Sequence, residues 1–282
     1  MFETHTVVEL QKKLSAARTE NKRVGFVPTM GYFHEGHLTL MREAKKRADV
    51  VVVSIFVNPT QFGPSEDLEK YPVDLERDRA LAESVGVDVL FTPSAGEIYP
   101  EGYATLVNVE GIADVLCGRS RPGHFSGVAT VVAKLLNIVR PDIAVFGEKD
   151  WQQLAVVRRM VADLNIDGEI LGVPTVREAD GLAMSSRNTY LSDEERKVAL
   201  VLAKALRIAQ EMVDNKTRTS AEIAQAMRAE IETESLVEIE YLEFCDPQSL
   251  ARVAAIESDT LIAIAAKVGK TRLIDNAVVR PC

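Results

Sequence analysis

The stretch that most limits the fold is Val50-Val51-Val52-Val53-Ser54-Ile55-Phe56-Val57. It is nearly all apolar and mostly β-branched, with no polar residues at the period of an amphipathic helix or a half-exposed strand. Such a run is a strand covered on both faces, and strands of that kind belong to parallel sheets with helical crossovers. The rest of the chain agrees. Apolar runs at 24–27, 87–91, 142–146 and 170–173 read as further strands. Helical spacing over 6–20, from His37 onward, and over 74–85, 126–139 and 151–164 reads as the connections. This alternation predicts a doubly wound, Rossmann-like α/β sheet, in which ligands bind outside the carboxyl ends of the strands. The loops at 28–37, 58–63 and 147–153 all follow predicted strands, so the fold brings them to one edge.

The first of those loops carries the strongest chemical signal. Pro28 is read as ending its strand, since it cannot donate to a ladder. Gly31 and Gly36 permit close backbone approaches. From His37 the pattern turns helical, with Leu38, Met41 and Ala44 on one stripe. His34 and His37 are then three apart at a strand-to-helix junction and can share one face of the first turn. The amides and dipole of that turn attract an anion, and two imidazoles add donors beside them. A bare His-x-Gly-His is as often an ordinary turn with surface histidines. Here, however, two of only four histidines fall at this one junction.

Net charge is −9 and the pI near 5.1. That argues against a broad nucleic-acid or anionic-membrane surface. Cys117, Cys245 and Cys282 are widely spaced, with no metal or redox pairing, and suit a reducing cytoplasm. The first residues have neither a basic start nor an apolar signal segment, and no run approaches membrane-spanning length.

The pattern changes near 176. Polar loops at 177–181 and 183–188 precede Ser192, which with Glu195 has the signature of a helix-capping box. Thr219 and Glu222 repeat that signature. Val237, Ile239 and Tyr241 alternate with glutamates as a half-exposed strand, and 261–268 with 272–279 flank Gly269-Lys270 as a hairpin. The expected division is a doubly wound domain, 1–175, and a small α+β domain, 176–282.

Five motifs then read together: Pro28-Thr29-Met30-Gly31, His34-Glu35-Gly36-His37, Asn58-Pro59-Thr60-Gln61-Phe62, Gly147-Glu148-Lys149-Asp150 with Gln152-Gln153, and Met184-Ser185-Ser186-Arg187-Asn188. In this order, over nearly the whole chain, they closely resemble the pantothenate synthetase family, which condenses pantoate with β-alanine using ATP through a pantoyl adenylate. The residue chemistry suits that reaction. An ionised carboxylate needs no general base to attack a phosphate. It needs charge stabilised and the line of attack held. His34, His37 and Lys149 can serve the phosphates, Ser185, Ser186 and Arg187 can offer hydroxyls and a fork of donors, and Gln61 and Gln153 suit the pantoate hydroxyls.

The resemblance implies more. Nucleotide binding by the first domain and a lid role of the second through 184–187 come only with it. His37 is the proton donor. Met30, Gly31, His34, Gly36, His37, Gly147, Glu148, Lys149, Asp150, Val176, Met184, Ser185, Ser186 and Arg187 line the ATP site. Gln61 and Gln153 hold pantoate, and Gln61 lies near β-alanine. Mg²⁺ and a homodimer are also implied, with the metal ligands undetermined. Arg187 is the single cation in Met184-Ser185-Ser186-Arg187-Asn188, so phosphate neutralisation leans on Lys149 and Mg²⁺. His124, in Arg121-Pro122-Gly123-His124-Phe125, is left with a structural or rim role. A nucleotidylyltransferase, an aminoacyl-tRNA synthetase relative and a non-catalytic ATP sensor are the rival readings; the synthetase relative lacks a basic anticodon-binding region and zinc spacing.

Overall fold

A computed structural model describes residues 1–64 and 66–281. Cys282 lies outside the described residues. Six parallel strands, β1 (Phe2–Thr4), β2 (Val24–Thr29), β3 (Val50–Ile55), β4 (Val89–Phe91), β5 (Ile143–Gly147) and β6 (Glu169–Val173), form one sheet in the order β1-β4-β3-β2-β5-β6. The helices of this half are α1 (Val7–Thr19), α2 (Glu35–Lys45), α3 (Leu75–Ser84), the short α4 (Ala95–Ile98) and α5 (Cys117–Ser120), α6 (His124–Val139) and α7 (Trp151–Asp163).

Alternate strand residues feed two cores, which is why the valine run has no polar face. Phe26, Val52, Ala144 and Phe146 pack with α1, α6 and α7. Val27, Val51, Val53, Ile143 and Val145 pack with α2 and α3. Each buried valine or isoleucine contributes about 1.5–3 kcal/mol relative to leaving it in water.

The chain runs from β2 to β3 to β4 in one direction, then returns to the other side of β2 with β5 and β6. The order therefore reverses between β2 and β5, where a doubly wound sheet opens a crevice. The loops after these two strands carry His34, His37 and Lys149.

Pro28 does not end β2. The strand continues to Thr29, with Pro28 opposite Ser54. Thr29 O accepts from Phe56 N, so by alternation Pro28 points away from β3. On that side pairing with β5 has already stopped at Phe26, and the missing donor costs no ladder bond. The edge strand β1, parallel to β4, has too few residues to show a period in the sequence.

The second half holds α8 (Asp193–Asp214), α9 (Ser220–Ile231) and an antiparallel sheet of β7 (Val237–Cys245), β8 (Thr260–Val268) and β9 (Thr271–Val279). Ser192 and Glu195 form the capping box, with Glu195 N on Ser192 Oγ at 3.2 Å and Ser192 N on Glu195 Oε2 at 2.8 Å. Thr219 stands at the N-cap of α9 but its side chain makes no capping bond, so that second box does not form. The central strand β8 is covered on both faces. Leu261, Ala263 and Ala265 join the core of the first half, while Ile262, Ile264 and Ala266 pack with α8 and α9. The alternation read through Val237, Ile239 and Tyr241 breaks as well. A bulge between Ile239 and Tyr241 sends Ile239 to one core and Tyr241 to the other. No helix among the described residues is long and apolar enough to cross a membrane.

Candidate active site

At the end of β2 the chain turns through Gly31 and Tyr32, both with positive φ, of +86° and +53°. The buried Asp78 on α3 holds this turn: its carboxylate accepts from Tyr32 N at 2.6 Å and Phe33 N at 2.7 Å. Phe33 is fully buried 5.5 Å from the His37 ring. The bulk of Tyr32 and Phe33 is thus absorbed, Phe33 by the core and Tyr32 beneath the Arg77 guanidinium at 5.1 Å.

His34 and His37 lie with ring centroids 4.1 Å apart. A Cβ at Gly36 would come within 2.8 Å of the His34 ring, so only glycine lets that ring fold over the first turn of α2. His34 N donates to His37 Nδ1 at 3.3 Å. An amide can only donate, so Nδ1 is the acceptor and the neutral ring carries its proton on Nε2. Burial is the main cause that pushes His34 down to about 4, with Lys149 second. Burial, then His34 and Lys149, hold His37 well below 6.5. Both rings are therefore neutral at pH 7, each with one N–H to offer an anion.

They line a cavity of about 230 Å³ that adjoins a larger one of about 640 Å³; Arg121, His124, Lys149, Asp150, Gln153 and Arg187 border both. Met30, Gly36, Gly147, Val176, Met184, Ser185 and Ser186, all expected at an ATP site, line the smaller cavity with them. Val176 O accepts from Met184 N at 3.0 Å, so these two face each other across a small turn. Ser186 Oγ donates to Tyr32 O at 3.3 Å, which docks the second half onto the histidine turn. Lys149 owes its place to β9: Asn276 Nδ2 donates to Glu148 O at 3.0 Å and Lys149 O at 2.8 Å.

Two of the residues expected at the ATP site lie off the cavity, and a third, which lines it, is already paired. Gly31 stands behind the wall, packed on Ile55 and Asp78, and serves the turn instead of lining the cavity. Glu148 lines a separate cavity with Trp151, Pro247 and Arg280, because the turn after β5 sends neighbouring side chains to opposite sides. The Arg187 fork is not free: Nε and a terminal nitrogen each donate to Asp67 at 2.9 Å. Its segment, Ser186–Tyr190, is an ordered 3-10 turn.

Gln61 is buried and held on every side. Its Oε1 accepts from Asn58 Nδ2 at 3.1 Å, and its Nε2 donates to Met30 Sδ at 3.2 Å. That leaves one N–H and one lone pair for a ligand hydroxyl. Gln152 ties down the loop before α5, donating to Ile112 O and Val115 O and accepting from Cys117 N. Asn58, Asp67, Asp78, Gln152 and Asn276 carry no functional reading in the sequence. Asn58 and Gln152 do stand inside quoted motifs, whereas Asp78 and Asn276 act across 45 and 127 residues and leave no local signal.

A family model described as pantoate-beta-alanine ligase matches residues 3–278. A pantothenate synthetase of Syntrophus aciditrophicus is 56% identical over 97% of this chain and 96% of its own. One from Heliobacterium modesticaldum is 58% identical over 92% of each. Among solved structures, a pantothenate synthetase of Thermus thermophilus superposes with a TM-score of 0.96 at 49% identity over 100% of both chains. A pantoate-beta-alanine ligase of Francisella tularensis, complexed with a β-γ ATP compound and β-alanine, gives 0.82 at 35% identity over 99% and 97%. With the histidine turn, the paired glutamines and Lys149 on one edge of the same sheet, these likenesses have one meaning: the chain belongs to the pantoate-β-alanine ligase family.

Proposed function

We propose that the protein joins pantoate to β-alanine at the expense of ATP, through a pantoyl adenylate. The observation that carries this reading is the His37 tautomer, with Nδ1 occupied by a backbone amide and Nε2–H left for the cleft. Pantoate's carboxylate oxygen attacks the α-phosphorus, and pyrophosphate leaves with the electron pair of the bridging oxygen. A neutral donor at that oxygen gains strength as charge develops there. Lys149 offsets phosphate charge. Gln61 and Gln153 hold the pantoate hydroxyls, and Gln61 also borders the amine's approach. The β-alanine ammonium first gives one proton to solvent, its nitrogen attacks the acyl carbon, AMP leaves with the pair of the carbon–oxygen bond, and a second proton goes to solvent to leave the amide N–H.

Val176, Met184, Ser185 and Ser186 form the nucleotide's second wall, in a lid that begins at residue 176. Mg²⁺, if carried in with ATP, would be held here by few protein groups. Such an ion needs only one or two protein carboxylates. Among the described residues no three metal-binding side chains come together. Asp150, a half-exposed carboxylate beside Lys149 on the cavity wall, fits that role and would hold the ion against the phosphates. The ion would supply charge neutralisation. We read the enzyme as a cytoplasmic homodimer, in keeping with its family.

The test is product analysis and isotope exchange. ATP, pantoate and β-alanine should give pantothenate, AMP and pyrophosphate. ATP–pyrophosphate exchange should need pantoate and not β-alanine. Exchange that requires the amine sinks the two-step scheme, and release of a nucleotidylated product sinks the ligase reading.

A further inference from the structure

His124 begins α6 and borders both cavities, yet the mechanism above leaves it without work. Its two nitrogens are both engaged. Nε2 lies 3.0 Å from the NH1 nitrogen of Arg121, and Nδ1 lies 2.8 Å from Gln61 O. A guanidinium can only donate, so Nε2 accepts, and the proton sits on Nδ1, where it is given to the Gln61 carbonyl. The ring is thus neutral in one tautomer. Burial, and next the charge of Arg121, push it down to about 4.

The same carbonyl takes a second bond from Arg121 NH2 at 3.4 Å, and Arg121 Nε is itself fixed on Glu66 Oε1 at 2.7 Å. One turn further along α6, Gly127 O accepts from Asn58 Nδ2 at 3.1 Å. A Cβ at Gly127 would stand 2.4 Å from Thr60 O, so α6 presses directly on the turn that carries Gln61. The backbone of Gln61 is therefore gripped by groups 60 and 63 residues away, and its amide by Asn58 and Met30.

We propose that His124 is a positioning residue for the hydroxy-acid substrate. Its Nδ1–H clamps the Gln61 carbonyl and its Nε2 holds Arg121, so that Gln61 presents its free N–H and lone pair in one orientation. This rests on the reading of Gln61 as the residue that holds pantoate. On this reading His124 acts through Gln61 and not on a reacting atom.

Steady-state kinetics on the full-length enzyme, varying pantoate and ATP separately, test this. His124→Ala should raise the KM for pantoate about tenfold, the factor carried by one hydrogen bond, with the KM for ATP within about twofold of the parent. In His124→Asn the side-chain amide N–H can take the place of Nδ1–H, and pantoate affinity should largely return. In His124→Gln the polar end falls near Nε2, and pantoate affinity should stay low. If the alanine variant does not fold, the Asn and Gln pair decides by itself, with melting temperatures measured for both. The proposal is overturned if Asn is no better than Ala or Gln, or if the KM for ATP rises in step with that for pantoate. An unaltered pantoate KM in His124→Ala defeats this inference alone; a parent enzyme that makes no pantothenate defeats the functional reading beneath it.

Discussion

The two walls of the cleft are built in different ways. On the sheet side, His34 and His37 take their geometry from a turn only a few residues long. It is pinned by buried, neutral or fully satisfied groups: Phe33, the Asp78 carboxylate and the Gly36 close approach. On the opposite side, the segment 184–190 reaches across 120 residues. It is held by the part-buried Arg187 pair with Asp67 and by the exposed bond of Tyr190 OH on Lys70 O at 3.1 Å. A buried turn is costly to rearrange, whereas a partly exposed ion pair is worth about 0–1 kcal/mol and can be exchanged for another anion. One wall is therefore ready before substrate arrives, and the other can be recruited by it. Arg187 is paired with Asp67 in this structure, and on the proposed reading the phosphates of ATP would be its second partner.

The sharpest way to break this comparison is His37→Ala. A prebuilt donor that acts on the leaving pyrophosphate should cost about a hundred- to a thousandfold in the single-turnover rate of adenylate formation, with ATP affinity falling far less. His37→Gln should recover part of the rate. With preformed pantoyl adenylate, His37→Ala should make amide at a rate closer to normal. A variant as slow with the adenylate as with ATP would move His37 to the second step or to the fold.

A smaller effect is expected at the glutamines. Removing Gln61 or Gln153 leaves pantoate hydroxyls unpaired, at about 1–3 kcal/mol each. Titration calorimetry should show pantoate binding weakened and ATP binding little changed. Equal loss of both affinities would mean that the wall itself had collapsed.

Asp67→Asn probes the recruitable side. If Arg187 must leave Asp67 to meet the nucleotide, weakening that pair should lower the KM for ATP by about two- to fivefold, on the scale of a partly exposed ion pair. A rise in that KM would show the Asp67 pair to be the working geometry and would end the idea of exchange.

A different measurement, stability instead of rate or affinity, separates the walls by pH. An unfolded histidine titrates near 6.5. In the folded chain His34 and His124 lie at about 4 and His37 well below 6.5. Between those values the unfolded chain binds protons that the folded one refuses, so stability falls as pH drops from about 6.5 towards 4. The slope is up to about 1.4 kcal/mol per pH unit for each histidine. Urea midpoints across that window should flatten in His37→Gln and keep the parent slope in Arg187→Ala. Equal slopes in both variants would remove His37 as a cause and leave His34 and His124.

What the sequence determined by itself was everything that repeats within a few residues. The valine run dictates a strand buried on both faces, the alternation of runs dictates the wound sheet, and the 34–37 spacing dictates two imidazoles on one turn. Ser192 and Glu195 are three apart and form the box they spell, while Thr219 and Glu222 spell the same box and do not form it. Tertiary structure decided the rest, because partners far apart in the chain are chosen by how crossovers and packing bring them together. It let β2 run on through Pro28, set a bulge before Tyr241, turned Glu148 away from the cleft, and placed Asp67 on Arg187. It also closed His124 over Gln61, 63 residues away. Periodicity carries no record of such pairings, since a side chain's partner depends on which strand lies beside its own.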